Sequence, residues 1–387
     1  MKINILLIVS VIVISCNQNK SSVDRTEIIG NSTKDSVPLE VVLDFHNDFD
    51  TVAQIISGKL ALPNFNQKFY EGYSNAMNKD FDKILKARLE PLSDWYATNR
   101  KRANRKTVEK VLYPFSGGDF LHVNTVYPEA KEYTLLAIEP VGRLPQIMDL
   151  NTSNKDSVLH QVKYMLRDVF LRSYFITKNM HLDIKDQRYI DGVLPMITWG
   201  IGISGYRILE VNSVAIDSNG QLVTSPADFE NQVFKTGVQL KICKEGENAI
   251  KTVNYLSVDL SNNGLKKNEP LRRFLTQYSD VGSFMKAASY LCHYKGFSDI
   301  RNIVLKNSII HLQDDTGIPY EYFNNSAHTS MLFGVYKKPI KDFSETLFQP
   351  DLVDAYNDSS KYFGSLPFSM GYHWASKFQN QMVFYKN

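Results

Sequence analysis

Residues 110–144 read KVLYPFSGGDFLHVNTVYPEAKEYTLLAIEPVGRL, and this stretch decides the fold class. Val108–Tyr113 is a short apolar run of the kind that forms a buried strand, and Ser116-Gly117-Gly118 supplies the turn that ends it. Asp119–Tyr127 is expected to be a short helix, with Asp119 placed to cap it. Tyr133–Ile138 is a second buried strand, closed by an acid, Glu139. The span Val108–Leu144 is therefore expected to be the first βαβ unit of a mixed α/β sheet.

Downstream, Asn154–Phe175 is expected to be one amphipathic helix, with Val158, Val162, Met165, Leu166, Val169 and Phe170 on its apolar face. Gly192–Gly205 is apolar and glycine-rich, which suits close approach to other backbone. Strands are expected at Tyr206–Val214, Val238–Cys243 and Thr252–Val258, with turns at Asp217–Asn219 and Lys244–Asn248. Leu271–Tyr278, Ser283–His293 and Phe297–Leu305 carry helical patterns, and Ser308–Leu312 a buried strand. Met331–Tyr336 and Met382–Tyr385 are the last strands, with Phe368–Tyr372 as a hairpin partner for the final one.

Upstream, Leu39 to about Asn99 is helical in pattern, in a first helix running through Phe49, Val52 and Ile56 and a second over Lys68–Ala87. Asp44, His46, Asp48 and Asp50 alternate along the first helix, where such residues diverge and cannot share one ion, so they are expected to form a solvated face. Asn17–Pro38 is polar and short of large apolar residues, as a flexible tether would be. The organisation expected is a signal segment at 1–15, a tether at 16–38, a helical region at 39–105 and a mixed α/β domain at 106–387.

The 387 residues are 43% hydrophobic and 22% charged, values of a folded globular chain. A net charge of +3 gives no bulk electrostatic case for a nucleic-acid partner. Three cysteines exclude a disulfide-built fold; Cys243 and Cys292 sit in apolar patterns that suit buried thiols, and a bond between them is allowed but not demanded. The 21 tyrosines and 22 phenylalanines can edge a large core or line a ligand cleft.

At the N-terminus, Lys2 precedes the apolar run Ile3–Ile14, which is too short to span a bilayer and ends in Val13-Ile14-Ser15-Cys16. This resembles the lipobox of bacterial lipoproteins, with Val13 where leucine is commonest. The resemblance implies cleavage before Cys16, a diacylglycerol on its thiol, and a partner in the membrane itself. Asn17, where an aspartate favours inner-membrane retention, implies outer-membrane residence.

The central unit resembles the nucleotide-binding half of Rossmann-like folds. In such units free N–H groups at a helix start attract anions and an acid after the second strand holds a ribose hydroxyl. Glu139 lies 21 residues beyond Gly118, close to the spacing that role requires. Two adjacent glycines replace the G-x-G-x-x-G series, and Asp119 would bring negative charge toward a phosphate. A terminal antiparallel strand such as Met382–Tyr385 is similar to that of class I methyltransferases. The resemblance implies a Rossmann-like three-layer sheet and ligand contacts from Ser116, Gly117, Gly118, Asp119 and Glu139.

Two further groups carry chemistry. Gln313-Asp314-Asp315 ends a buried strand, where open α/β sheets bind ligands, and Thr316-Gly317-Ile318-Pro319 is expected to turn the acids out to the rim. Adjacent carboxylates can serve as acid and base, or can cap a turn. On the expected helix Ser283–His293, Lys286, Ser289, Tyr290 and His293 would share one face, with Lys286 for an anionic group and His293 as general base, or as ordinary half-exposed polar residues. Tyr113-Pro114-Phe115-Ser116 and Ile318-Pro319-Tyr320 would make rigid aromatic walls. The eight histidines form neither H-E-x-x-H nor H-x-H, and no Walker A or G-x-S-x-G series occurs, so no metal or cofactor is called for. The function expected is that of a membrane-anchored envelope lipoprotein with a binding or assembly role toward a small polar ligand or an envelope protein. The alternatives are an envelope enzyme acting on a glycan or similar substrate through His293 or Asp314 and Asp315, and a methyltransferase-like protein with a degenerate nucleotide site.

Overall fold

A computed structural model describes residues 47–174, 189–229, 234–324 and 328–387. The signal segment, Cys16, the tether, Asp44 and His46 lie outside them. The described residues all belong to the unit Leu43–Asn387.

The chain opens with helices α1 (Asp48–Ile56), α2 (Gln67–Ile84) and α3 (Glu90–Arg102), the last two joined by a π-helical turn at Leu85–Leu89. Asparagines start the first two: the Asn47 carboxamide accepts from Asp50 N, and Asn66 accepts from Phe69 N. Then come β1 (Lys110–Pro114), α4 (Phe120–Val126) and β2 (Glu132–Ala137), the βαβ unit of the sequence. Helices α5 (Thr152–Met165), α6 (Arg167–Arg172) and α7 (Leu194–Ile203) precede strands β3 (Tyr206–Ile216), β4 (Leu222–Pro226), β5 (Gly237–Lys244) and β6 (Lys251–Ser257). After α8 (Asn262–Lys267) and α9 (Glu269–Gln277) follow β7 (Val281–Met285), α10 (Ser298–Asn307) and β8 (Ser308–Gln313). The rest is α11 (Glu321–Asn324), β9 (His328–Gly334), α12 (Pro350–Asn357), β10 (Tyr362–Gly364) and β11 (Asn380–Lys386).

The strands form one mixed 11-stranded sheet in the order β10-β9-β11-β8-β7-β1-β2-β6-β5-β3-β4. The centre, β8-β7-β1-β2-β6, is parallel throughout. Strand β11 runs antiparallel between β8 and β9, and β5, β3 and β4 extend the other side as antiparallel neighbours. Alternate residues of the strands enter two separate cores. Val111, Tyr113, Tyr133, Leu135, Val253 and Val383 pack with residues of α1 to α5 and α7, whereas Leu112, Leu136, Leu256 and Met382 pack with residues of α8 to α12. Burial on both sides is why these strands read as unbroken apolar runs rather than as alternating ones.

Several expectations are corrected. Ser283–His293 is not a helix: Val-Gly-Ser-Phe-Met is strand β7, and only Leu291–His293 is helical, as a 3-10 turn. A continuously buried run has no period to tell strand from helix, and left-handed backbone at Ala287, Ser289 and Tyr290 breaks any helix there. The helix expected over 154–175 ends at Leu166 and restarts as α6. Phe368–Tyr372 is not a strand, and β11 instead takes β8 and β9 as partners. Gly192 does approach backbone closely, since a Cβ there would overlap the Val141 carbonyl, but the tract itself is helix α7. Of the two described members of the expected solvated face, Asp48 is exposed, whereas Asp50 is 1% exposed.

Asp50 is buried because it ties α1 to β3. Its carboxylate takes Arg207 Nε and Nη2, each at 2.7 Å, and accepts from Ile208 N at 2.7 Å. Removing the acid takes away the two short contacts of the Arg207 guanidinium, which keeps Glu245 at 3.5 Å, and leaves the buried Ile208 N–H without its side-chain acceptor. Asp50→Ala should therefore lower the unfolding free energy by about 3 kcal/mol in a urea titration, and a loss under about 1 kcal/mol would put the pair in the class of weak surface bridges.

Candidate functional site

The direction of travel through the sheet reverses between β1 and β7. From β1 the chain moves outward through β2 to β6, then returns on the other side of β1 through β7 to β8. Neighbouring loops diverge at such a point and leave a crevice outside the carboxyl ends of the strands. A cleft of about 340 Å3 lies there. Its walls are Phe115 after β1, Ala137–Glu139 after β2, Val258–Leu260 after β6, Ala287–Ser289 and Leu291 after β7, and Phe297.

Two features mark the cleft as built rather than incidental. Its backbone is strained: Phe115, Ala287 and Ser289 have φ of 59°, 53° and 55°, and Tyr290 beside them 57°. Each such residue costs on the order of 1–3 kcal/mol and persists only where the surroundings impose it. The second feature is Glu139, which is 5% exposed, lines the cleft, and has no hydrogen bond or ion pair on its carboxylate among the described residues. Its main chain is fixed, because Tyr255 Oη donates to Glu139 O at 2.8 Å.

The turn after β8 imposes the strain on the loop after β7. Ala287 N donates to Asp314 Oδ2 at 3.0 Å, Ala288 N to Thr316 Oγ1 at 2.8 Å, and Tyr290 N to Thr316 O at 3.0 Å. Asp314 in turn accepts from Thr316 N and Oγ1. Asp315 accepts from Tyr290 Oη at 2.5 Å, pairs with His373 Nε2 at 2.7 Å and accepts from Asn380 Nδ2 at 3.0 Å. Both acids are buried, at 1% and 0% exposure, so the rim position expected for them is corrected: enough donors converge on them to replace water. Burial, and then the neighbouring Asp315, push the Asp314 pKa above the usual carboxylate value. Burial opposes charge on His373, but its bond to Asp315 outweighs that and raises it above its ordinary value.

Asp119 and Lys286 join the ends of β1 and β7. Lys286 Nζ lies 2.6 Å from Asp119 Oδ2 and also donates to Ser173 O, with both side chains buried. Asp119 accepts from Tyr113 Oη at 3.1 Å, and its other oxygen caps α4 through His122 N at 3.3 Å and meets His122 Nδ1 at 2.7 Å. Burial pushes Asp119 up, yet His122 and Lys286 pull harder and hold it well below the usual range. Burial lowers His122, and its Nε2 has no partner, the state of a neutral ring donating through Nδ1. Burial lowers the Lys286 pKa as well, and Asp119 beside it opposes that fall.

The remaining expected residues are placed as follows. Ser116 is buried, its hydroxyl bonded to Gly117 O and Leu136 O, and a Cβ on Gly118 would lie 3.1 Å from Met196 Cβ of α7. The glycine turn thus serves helix packing. Gln313 is wholly buried and braces its own turn through Ile318 N and O, each at 2.7 Å. His293 lies off the cleft lining, its ring edge-on to Tyr290 at 5.0 Å and its pKa lowered to about 4 by burial. Cys243 and Cys292 are buried free thiols. Of the two aromatic walls, Phe115 faces the cleft, while Ile318 and Tyr320 are core. The acid that sequence reasoning missed is Asp259, which follows β6 as Glu139 follows β2, a relation that only the pairing of those strands reveals. Ile138 was missed too, and its 67% exposure at the cleft rim is unusual for a large apolar side chain. Among the described residues no His, Cys, Asp and Glu side chains gather in a group able to hold a metal ion. No family model, no curated protein and no solved structure matches this chain.

His311, beside Gln313, gives the cluster a pH signature. Its ring is held between Ser283 Oγ at 2.6 Å and Gln313 Oε1 at 2.7 Å, and burial lowers its pKa to about 4 from 6.5. The unfolded chain takes up that proton first, so this contribution is present above pH 6.5 and drains away as pH falls toward 4. Stability should drop over that window by on the order of 2–3 kcal/mol for this ring alone. His311→Gln should flatten the profile by one proton in denaturant melts taken at successive pH values; an unchanged slope would contradict the assignment.

Proposed function

We propose that this chain is a lipid-anchored protein of the bacterial cell envelope, held at the outer membrane through Cys16. Its α/β domain is a Rossmann-like, three-layer fold that binds a nucleoside-type ligand at its strand ends. The observation that carries the ligand reading is Glu139, a buried carboxylate without a partner in a crevice at the reversal of strand order. The Glu139 carboxylate lines the cleft, where a ligand diol would donate two hydroxyls to it. The apolar walls Phe115, Ile138, Leu260 and Phe297 suit a flat ring beside that diol. Helix-bearing cores on both sides of the sheet and the antiparallel β11 support the likeness to class I methyltransferases.

A binding role is favoured over catalysis on a glycan by what the expected acid–base residues are doing. Asp314 and Asp315 spend their oxygens on pinning the loop after β7, and His293, Asp314 and Asp315 all lie off the cleft lining.

Calorimetric titration of adenosine into the full chain in detergent should give saturable heat. Glu139→Gln should weaken it about 10- to 100-fold, as expected for a hydrogen bond to a charged group, while leaving the fold intact. No heat at millimolar adenosine would overturn the ligand reading. For the anchor, Cys16→Ser should abolish fatty-acid labelling of the protein in cells, and a retained label would refute lipidation.

A further inference from the structure

The edge of the sheet opposite the cleft carries a concentration of positive charge. Arg100-Lys101-Arg102-Ala103-Asn104-Arg105-Lys106 places five cations in seven residues with no acid among them, in a chain whose net charge is only +3. The helix end accounts for part of this. Arg100, Lys101 and Arg102 form the last turn of α3, where cations suit the helix dipole, but Arg105 and Lys106 lie beyond it. Arg100 meets Glu129 at 3.2 Å, and the Arg102 and Arg105 guanidinium groups lie 4.6 and 5.5 Å from the Phe363 and Tyr385 ring centroids. Lys101 and Lys106 are exposed and form no ion pair among the described residues. Beside Tyr385, the exposed Lys386 donates to Lys306 O at 2.8 Å, so two more lysines border the same surface.

This surface lies at the amino ends of the parallel strands. The basic run leads directly into β1, and Lys386 ends β11, which is antiparallel to β8. The described chain enters the domain along the same edge. Asn47 Nδ2 donates to Ile208 O at 2.8 Å, near the start of β3, where Tyr206 pairs with Lys244 of β5 and Ile242 pairs with Lys251, the first residue of β6. A line of contacts joins the two places. Lys251 Nζ lies 5.6 Å from the Tyr206 ring centroid and donates to Pro128 O, and the next residue, Glu129, is the partner of Arg100.

From this we infer that the amino edge of the sheet is a membrane-facing surface that docks on anionic phospholipid, with the cleft at the carboxyl edge turned away from the bilayer. The inference rests on the lipid-anchor reading above and adds the orientation of the domain. Two arguments select this occupant. About 30 residues of chain separate Cys16 from Asn47, so an anchored lipid keeps the amino edge, ahead of the cleft edge, at high effective concentration beside the bilayer. The sign of the charge also matches: each exposed cation beside a surface of anionic headgroups adds about fivefold to partition, and salt screens the gain.

Amine footprinting tests it on the lipidated protein, extracted in detergent and reconstituted on vesicles. On phosphatidylcholine vesicles containing about one-third phosphatidylglycerol, acetylation of Lys101, Lys106 and Lys386 should slow at least about threefold relative to pure phosphatidylcholine vesicles. Lys338 and Lys341, exposed beyond the carboxyl end of β9, should react equally on both. Salt at about 1 M should remove the protection. Lys101→Glu combined with Lys106→Glu should abolish the protection of Lys386, whereas Lys338→Glu combined with Lys341→Glu should leave it. Equal labelling of Lys101 and Lys106 on both kinds of vesicle, with the protein bound to each, would overturn the orientation and leave the anchor standing. Protection of these lysines by heparin in solution but not by anionic vesicles would assign the surface to a soluble polyanion and overturn it too. A protein that associates with neither vesicle would take down anchor and orientation together.

Discussion

The salt bridge between Lys286 and Asp119 is the contact on which the carboxyl edge of the sheet depends. It joins the first residue after β7 to the cap of the helix after β1, across the point where the strand order reverses. A crevice forms there because the two loops diverge, and nothing in the main-chain hydrogen bonding of the sheet holds them in register beyond the strand ends. A charge pair buried to a few per cent is costly to desolvate, and the cost is offset here by extra donors: Tyr113 on the carboxylate, the His122 main chain and ring on the carboxylate, and Ser173 O on the ammonium. The pair is worth more as a positional constraint than as net stability, because losing either partner leaves the other charged and dry.

The second constraint is the turn Asp314–Thr316. It supplies acceptors to three main-chain N–H groups of the loop after β7, and so holds Ala287 and Tyr290 in left-handed backbone that side chains resist. Gly371 lies against Asp314 and Lys286 from above, where a Cβ would come within 3.0 Å of the Asp314 carboxylate, and His373 two residues later pairs with Asp315. The acidic pair is thus the centre of a scaffold made from three distant parts of the chain. Its burial explains why its two members do different work: Asp314 orients the cleft loop, and Asp315 anchors the C-terminal segment.

How much of this was legible in the sequence follows from the range of each interaction. The βαβ unit was legible because its signals are local: an apolar run, a glycine turn, an aspartate cap and a closing acid within one stretch. Strand β7 was not, because five consecutively buried residues carry no period, and the polar residues after it happen to fall at helical spacing. Glu139 was legible as an acid after the second strand. Asp259 was not, since its role depends on β6 lying next to β2, a pairing between strands more than a hundred residues apart.

By itself, the sequence determined the central βαβ unit and the short list of acids, Lys286 and glycines from which a site could be made. Those properties arise from side-chain volume, backbone preference and capping over a few residues. Tertiary structure alone decided which of those residues face the cleft. Asp119, Lys286 and Asp314 were drawn inward because each found partners from other parts of the chain, while the Glu139 carboxylate was left in the crevice with none among the described residues. Burial and pairing are sums over neighbours in space, and no spacing along the chain encodes them.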